Sequence, residues 1–240
     1  MPKKDSKPGQ KEEQALPSNA APLPPVQDFA VKDCSLLTLT TGRYAQNLRE
    51  LNAHLREAHR GCIYHHFWGN RLRPRLERPD FQNDLAVWTR NALHDHPLSE
   101  RLGIINPTRF PDLEALRREV IDIIEERLEE SETMPWVQSG QEFFFLRSQT
   151  VVFDTRLRLQ EPRELCDIVP QMPVGSLYYH FIDARRRLPE SVDDFSSWLG
   201  GFGEEYRELI HSLVNLDPYF VTLRELRERV ADVINKYFHC

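Results

Sequence analysis

Apolar residues recur at helical spacing along most of this chain and crowd together like strands in two places. Ala45, Leu48, Leu51 and Leu55 predict a helix over Tyr44–Ala58. Gly61 ends the turn that follows, and Ile63, Phe67 and Asn70 continue a helical face until Pro74 stops it. Phe81, Leu85, Trp88 and Ala92 predict a helix over Asp80–Leu93, and a short one follows from Pro97 through Leu102. Asp112 is placed to cap a helix with Leu113, Leu116, Val120, Ile123 and Ile124 on its apolar face. The first strand-like stretch is Phe29–Leu39, broken at Thr41-Gly42. The second is Glu142–Asp154, EFFFLRSQTVVFD, whose length predicts a bend, or a division into two strands, near Arg147. Between the halves, Ser131–Gln141 reads as a linker with Pro135 and Gly140. Residues 1–28 carry too little apolar surface to offset the entropy of ordering and are expected to be a disordered, Pro- and Lys-rich tail. Pro22–Pro25 reads as a spacer within it, with partner binding in polyproline II form as the other reading.

The chain then echoes itself. Gly61–Arg73, GCIYHHFWGNRLR, returns as Gly175–Arg187, GSLYYHFIDARRR. At an offset of 114, Leu36–Arg73 and Thr150–Arg187 agree at 11 of 38 positions, Arg49-Glu50-Leu51 and Arg163-Glu164-Leu165 among them. The offset then falls to 110, where Asp84 and Trp88 match Asp194 and Trp198. Leu113, Leu116, Arg117 and Val120 likewise match Leu223, Leu226, Arg227 and Val230, and Asn106-Pro107 matches Asp217-Pro218. Thr222 and Glu225 form a capping box at the start of the last helix, where Asp112 stands in the first half. Such a period is domain-sized and too long for a solenoid. The expected fold is mainly α with a minor β part, built as two tandem repeats of one strand and four to five helices. Repeat 1 spans 29–130 and repeat 2 spans 142–240. Their strands pair, relating the two by a pseudo-twofold axis and packing them as one unit.

The Tyr-His-Phe elements, Asp194-Phe195-x-x-Trp198-Leu199, Leu223-x-Glu225-Leu226-Arg227, Leu37–Gly42 and Asn47–Leu51 together resemble a family of bacterial and archaeal proteins with no established activity. The resemblance covers Phe29 to Phe238. It implies a compact, mainly helical cytoplasmic protein and assigns no catalytic residues. Glu161-Pro162 in the second copy departs from Asn47-Leu48 in the first, so the two halves need not bind the same ligand.

Composition narrows the function further. With 40% hydrophobic and 28% charged residues, the 240-residue chain has the profile of a soluble globular protein. A net charge of −6 argues against a general nucleic-acid coat. No apolar run is long enough for a membrane span, and the polar N-terminus lacks a secretory signal, so a cytoplasmic location is expected. Cys34, Cys62, Cys166 and Cys240 lie far apart without a C-x-x-C pair, which predicts free thiols.

Three groups carry candidate chemistry. Tyr64, His66, Arg71 and Arg73 with Tyr178, His180, Arg185 and Arg187 could converge on a phosphate or carboxylate. The competing reading for these residues is packing, with buried histidines bonded to backbone. His65-His66 and His94-Asp95 on helical ground resemble the ligand pattern of helical HD-type metal-dependent phosphohydrolases, which would make His66, His94 and Asp95 metal ligands, with Asp122 or Asp154 completing the set. Against that, Glu204-Glu205 replaces His94-Asp95 in the second half, and His94–Pro97 also reads as a polar turn. Trp88 and Trp198, with Asp84 and Asp194 before them, are expected in the core. No phosphate-binding loop, dinucleotide fingerprint, nucleophile elbow or H-E-x-x-H occurs. The sequence thus points to a non-catalytic binding or regulatory protein, with no cofactor, for a phosphorylated small molecule or a partner protein. A metal-dependent phosphohydrolase is the alternative.

Overall fold

The computed structural model describes residues 26–73, 80–130, 133, 136–188 and 191–240. The protein is mainly helical around a two-stranded ribbon. Strand β1 (Phe29–Ala45) pairs antiparallel with β2 (Phe143–Leu159). Leu36 stands opposite Thr150, the residue 114 positions on. Both strands outrun the apolar pattern, because ladder pairing holds polar segments extended as well as apolar ones. The break expected at Thr41-Gly42 is a bulge inside β1: the register shifts between Thr40 and Tyr44, and Gly42 takes φ +75°. Strand β2 is a single strand. The register shift at Thr40–Tyr44 faces its Phe144–Leu146, beside Arg147, and a further irregularity lies between Asp154 and Arg158, where Arg156 takes φ 64°. The Asp154 carboxylate accepts the Arg156 amide there at 2.8 Å.

After β1 come α1 (Leu48–Glu57) and α2 (Arg60–Tyr64), which runs into a π-helical turn at His65–Gly69. Helix α1 starts later than expected. Asn47 caps it by accepting the Glu50 amide at 2.9 Å, while Tyr44 and Ala45 stay in the ribbon. Helices α3 (Asp84–Asn91), α4 (His96–Gly103) and α5 (Leu113–Glu130) follow, capped by Asn83, Asp95 and Asp112. After β2, α6 (Leu165–Ile168) and α7 (Val174–Leu177) lead to a second π-helical turn, Tyr178–Asp183, continued by α8 (Ala184–Arg187). Helices α9 (Asp194–Gly200), α10 (Arg207–Val214) and α11 (Leu223–Phe238) complete the fold. Thr222 and Glu225 make the predicted capping box of α11. Pro74, expected to end a helix, lies outside the described residues.

Each strand begins against the helices of the opposite half. Phe29 packs on Phe195 and Trp198, both at 5.3 Å, and Phe143 packs on His66 at 4.6 Å and Trp88 at 5.6 Å. The indole of Trp198 donates to the Gln27 carbonyl at 2.9 Å, and that of Trp88 donates to the Gln141 carbonyl at 2.7 Å. The repeated glycines mark where helix meets ribbon. A Cβ on Gly61 would lie 2.8 Å from Arg147 Cγ, and one on Gly175 would lie 2.2 Å from Asp33 Oδ1 and 2.6 Å from the Cys34 carbonyl. Glycine is needed there for closeness, not for an unusual backbone angle.

One continuous apolar core runs through both halves, from Phe29 and Leu48 to Leu226 and Ile234. The packed body begins before the predicted boundary at 28, since Val26 packs on that core and Gln27 bonds Trp198. The rest of the expected tail, residues 1–25, lies outside the described residues. Within the predicted linker, the Ser139 amide donates to Gln46 and the Gly140 amide to Ala92. Those two residues therefore belong to the body.

The free-thiol expectation fails for two cysteines. Cys166 on α6 is joined to Cys240, 74 positions on, with Cα atoms 6.5 Å apart. Helix α11 packs back on α6, and spacing along the chain carries no trace of that proximity. Cys34 and Cys62 are free and buried. Among the described residues, no helix is long and apolar enough to cross a membrane.

Candidate functional site

The two π-helical turns place the repeated Tyr, His and Arg residues. His180 Nδ1 bonds Asp194 at 2.7 Å, and its Nε2 accepts the Lys32 amide at 2.8 Å. His66 does the same with Asp84 at 3.1 Å and the Leu146 amide at 3.3 Å. An Nε2 that accepts from an amide leaves the proton on Nδ1, which then donates to the carboxylate. Each ring has both nitrogens engaged and ties its helix to the strand from the other half.

The tyrosines meet each other at the centre. Tyr178 is hydrogen-bonded to Tyr64, and Tyr64 donates to Asp183 at 2.9 Å. Burial raises both phenols above their usual range, so both stay protonated donors. Asp183 is held in turn by Arg186 at 2.8 Å and Arg187 at 3.0 Å.

The four repeated arginines do not converge. Arg71 donates to the carbonyls of Pro218, Tyr219 and Val221 at 2.5–2.7 Å. Arg73 reaches Thr38 on β1 at 2.9 Å. Arg187 pairs with Asp183 and Asp194 and lies 4.0 Å over the Tyr179 ring. Arg185 differs from them in the polar partners of its terminal nitrogens. Its side chain is 18% exposed. Its polar contacts among the described residues are long, 3.4 Å to the Leu213 carbonyl and 4.0 Å to Asp193, while the guanidinium lies over the Phe181 ring at 4.8 Å. The Asp193 carboxylate also accepts the Ser196 amide at 2.9 Å and hydroxyl at 2.8 Å. Burial pulls the Arg185 pKa below its usual value, against Asp193 and Asp217.

Arg185 lines a cleft of about 610 Å³, within the size range of small-molecule sites. Arg60, Arg186, Thr108, Phe110 and Ile182 line it too, as does Tyr64. Two carboxylates also line the cleft. Asp112 accepts the amides of Glu114 and Ala115, and Glu114 pairs with Arg117 at 2.8 Å. Arg60, Arg186 and the apolar lining do not stand out in the sequence. The nearest sequence signal for the cleft is where the two halves disagree: Ile182 stands for Trp68, and Thr108 for Tyr219.

The residues proposed as metal ligands are scattered. Asp95 caps α4 and accepts Arg127 at 2.8 Å, and His94 sits in the turn before it at φ 55°. Among the described residues, His65, His66 and Asp84 are the cluster with ligand atoms close together, within 4.8 Å. Both His66 nitrogens are hydrogen-bonded as described, as are His65 Nδ1, by Ser148 at 2.7 Å, and Asp84, by His66 and Asn70, while His65 Nε2 is buried without a partner. Burial, then His66, lowers the His65 pKa to about 4, with Asp84 opposing and Arg73 adding to the shift.

A family of unknown function, DUF5752, matches residues 26–235. The chain belongs to that family. It is also similar to a solved structure described as OrfY from Thermoproteus tenax, with 28% identity and a TM-score of 0.76. The match covers 89% of this chain and 96% of that one. No curated protein matches it. The matched range takes in Val26, which packs on the core of this DUF5752 protein.

Proposed function

We propose that this DUF5752 protein is a non-catalytic binding protein that takes a small anionic ligand in the Arg185 cleft. The observation that carries this reading is the state of Arg185: a largely buried guanidinium with long polar contacts to the protein, on the wall of an open cleft. A buried cation without good partners is costly, and a bound carboxylate or phosphate would remove that cost. The tyrosine pair and the two His–Asp pairs form the frame that positions the cleft.

The frame itself is best read as two copies of one unit about a pseudo-twofold axis. Supporting this, Leu36 faces Thr150 and Tyr64 meets Tyr178, each pair 114 residues apart. The His66 and His180 bonds to the opposite strands repeat at that offset as well. Phosphohydrolase chemistry has less support, because His66 and Asp95 are hydrogen-bonded within the protein and His66, His94 and Asp95 form no close cluster among the described residues.

The test is thermal shift and calorimetry with inorganic phosphate, on wild type, Arg185→Ala and Arg71→Ala. Phosphate should raise the melting temperature of wild type and of Arg71→Ala but not of Arg185→Ala, with the effect falling as salt rises. No shift in wild type, or an equal shift in Arg185→Ala, would refute the reading.

A further inference from the structure

The other half of the molecule shows what occupies the space corresponding to this cleft. Tyr219 is fully buried there, its ring 4.9 Å from Trp68 and 6.4 Å from Phe67. Arg71 lies 6.0 Å from the Trp68 and Tyr219 rings and binds three carbonyl oxygens of the segment that carries Tyr219. An aromatic ring and a set of oxygen acceptors thus arrive together at a Phe–Trp–Arg wall.

Moving 114 positions along leads from Phe67, Trp68 and Arg71 to Phe181, Ile182 and Arg185. The loop offset of 111, set by Asn106-Pro107 against Asp217-Pro218, leads from Tyr219 to Thr108. The phenylalanine and the arginine are kept, while Ile replaces Trp and Thr replaces Tyr. Both exchanges remove a ring, and Thr108 is exposed where Tyr219 is buried. Ile182, Thr108 and Arg185 all line the cleft, and Trp68 lines it too from the other half. Thr108 leaves open the place that a ring on this loop would fill, and without the three close carbonyls that hold Arg71, Arg185 keeps long polar contacts.

We infer that the cleft takes an aromatic anion: a flat ring carrying a carboxylate or phosphate. The ring occupies the place that Tyr219 fills in the other half, over Ile182 and beside Phe110. The anionic oxygens take the place of the three carbonyls and meet Arg185, with Arg60 at the rim. This rests on the anion-binding reading of the same cleft and adds the ring.

Phenyl phosphate and inorganic phosphate separate the two ideas, titrated by calorimetry into wild type, Thr108→Tyr and Ile182→Trp. Phenyl phosphate should bind wild type at least about tenfold more tightly than inorganic phosphate, as apolar contact with a ring would provide. Thr108→Tyr places a ring on an exposed loop position and should lower phenyl phosphate affinity at least about tenfold, with the melting temperature kept or raised. Ile182→Trp should act in the same direction. Equal affinity for the two probes would overturn the ring inference and leave the anion site standing. Undiminished phenyl phosphate binding by both variants would also overturn it. Binding of neither probe by wild type would overturn both readings.

Discussion

Acidification should destabilise this protein through one buried histidine. His65 has no solvent exposure, bonds Ser148 through Nδ1 and leaves Nε2 without a hydrogen-bond partner. Its ring stands edge-on to His66 at 5.2 Å. Burial and these neighbours hold its pKa at about 4, against about 6.5 for histidine in an unfolded chain. Above pH 6.5 the ring is neutral in both states and contributes no pH dependence. Below 6.5 the unfolded chain takes up a proton that the folded protein refuses, so stability falls until the pH passes about 4. Working the two values through the linkage relation gives a loss of about 2 kcal/mol at pH 5, saturating near about 3.4 kcal/mol below pH 4. At this chain length the loss at pH 5 corresponds to about 4–8 °C in melting temperature. Other groups titrate over the same range, so the useful quantity is a difference between proteins. Urea unfolding of wild type and His65→Gln at pH 7.5 and pH 5.0 supplies it. Wild type should lose about 2 kcal/mol more than the variant on acidification, whatever the cost of the substitution at neutral pH. Equal losses in the two proteins would refute the reasoning.

Three further predictions concern the frame. Gly175→Ala should cost about 1–3 kcal/mol, because its Cβ would meet the Asp33 carboxylate and the Cys34 carbonyl, while Gly140→Ala, with open space around it, should be near neutral in urea unfolding; equal costs would show that α7 can shift off the ribbon. His180→Ala removes the acceptor of the Lys32 amide and should cost about 1–3 kcal/mol, whereas exposed His211→Ala should change little; a neutral His180→Ala would mean that water replaces the ring. Reduction should lower the melting temperature, since the Cys166–Cys240 link closes 74 positions of chain and is worth at most about 4–5 kcal/mol. Cys240→Ser should already sit at the reduced value, and an unchanged wild-type melting temperature under reductant would count against the link.

Local chemistry made much of the secondary structure legible. Apolar spacing located α1, α3 and α5, and single residues such as Asp112 and Thr222 marked helix starts, because a cap acts on amides two or three positions away. The two aromatic and β-branched runs located the paired strands, though not their length. Tyr44 and Ala45 fitted a helical face, and only cross-strand pairing with Phe144 and Phe143 draws them into the ribbon. The echo at 114 positions pointed to the residues that meet at the centre, Tyr64 with Tyr178, without saying that they would meet.

Partnership was the part that sequence could not supply. The four repeated arginines look alike along the chain, yet three are well bonded within the protein and Arg185 is left at the cleft. What separates Arg71 from Arg185 is the set of three carbonyls at Pro218, Tyr219 and Val221, which reaches Arg71 from the other half of the chain. His66 and His180 likewise bond strands 80 and 148 positions away. Periodicity and caps act within one turn of helix, so they are written into adjacent residues. Which buried group meets which depends on how the two halves close over the ribbon, and only the folded chain decides that.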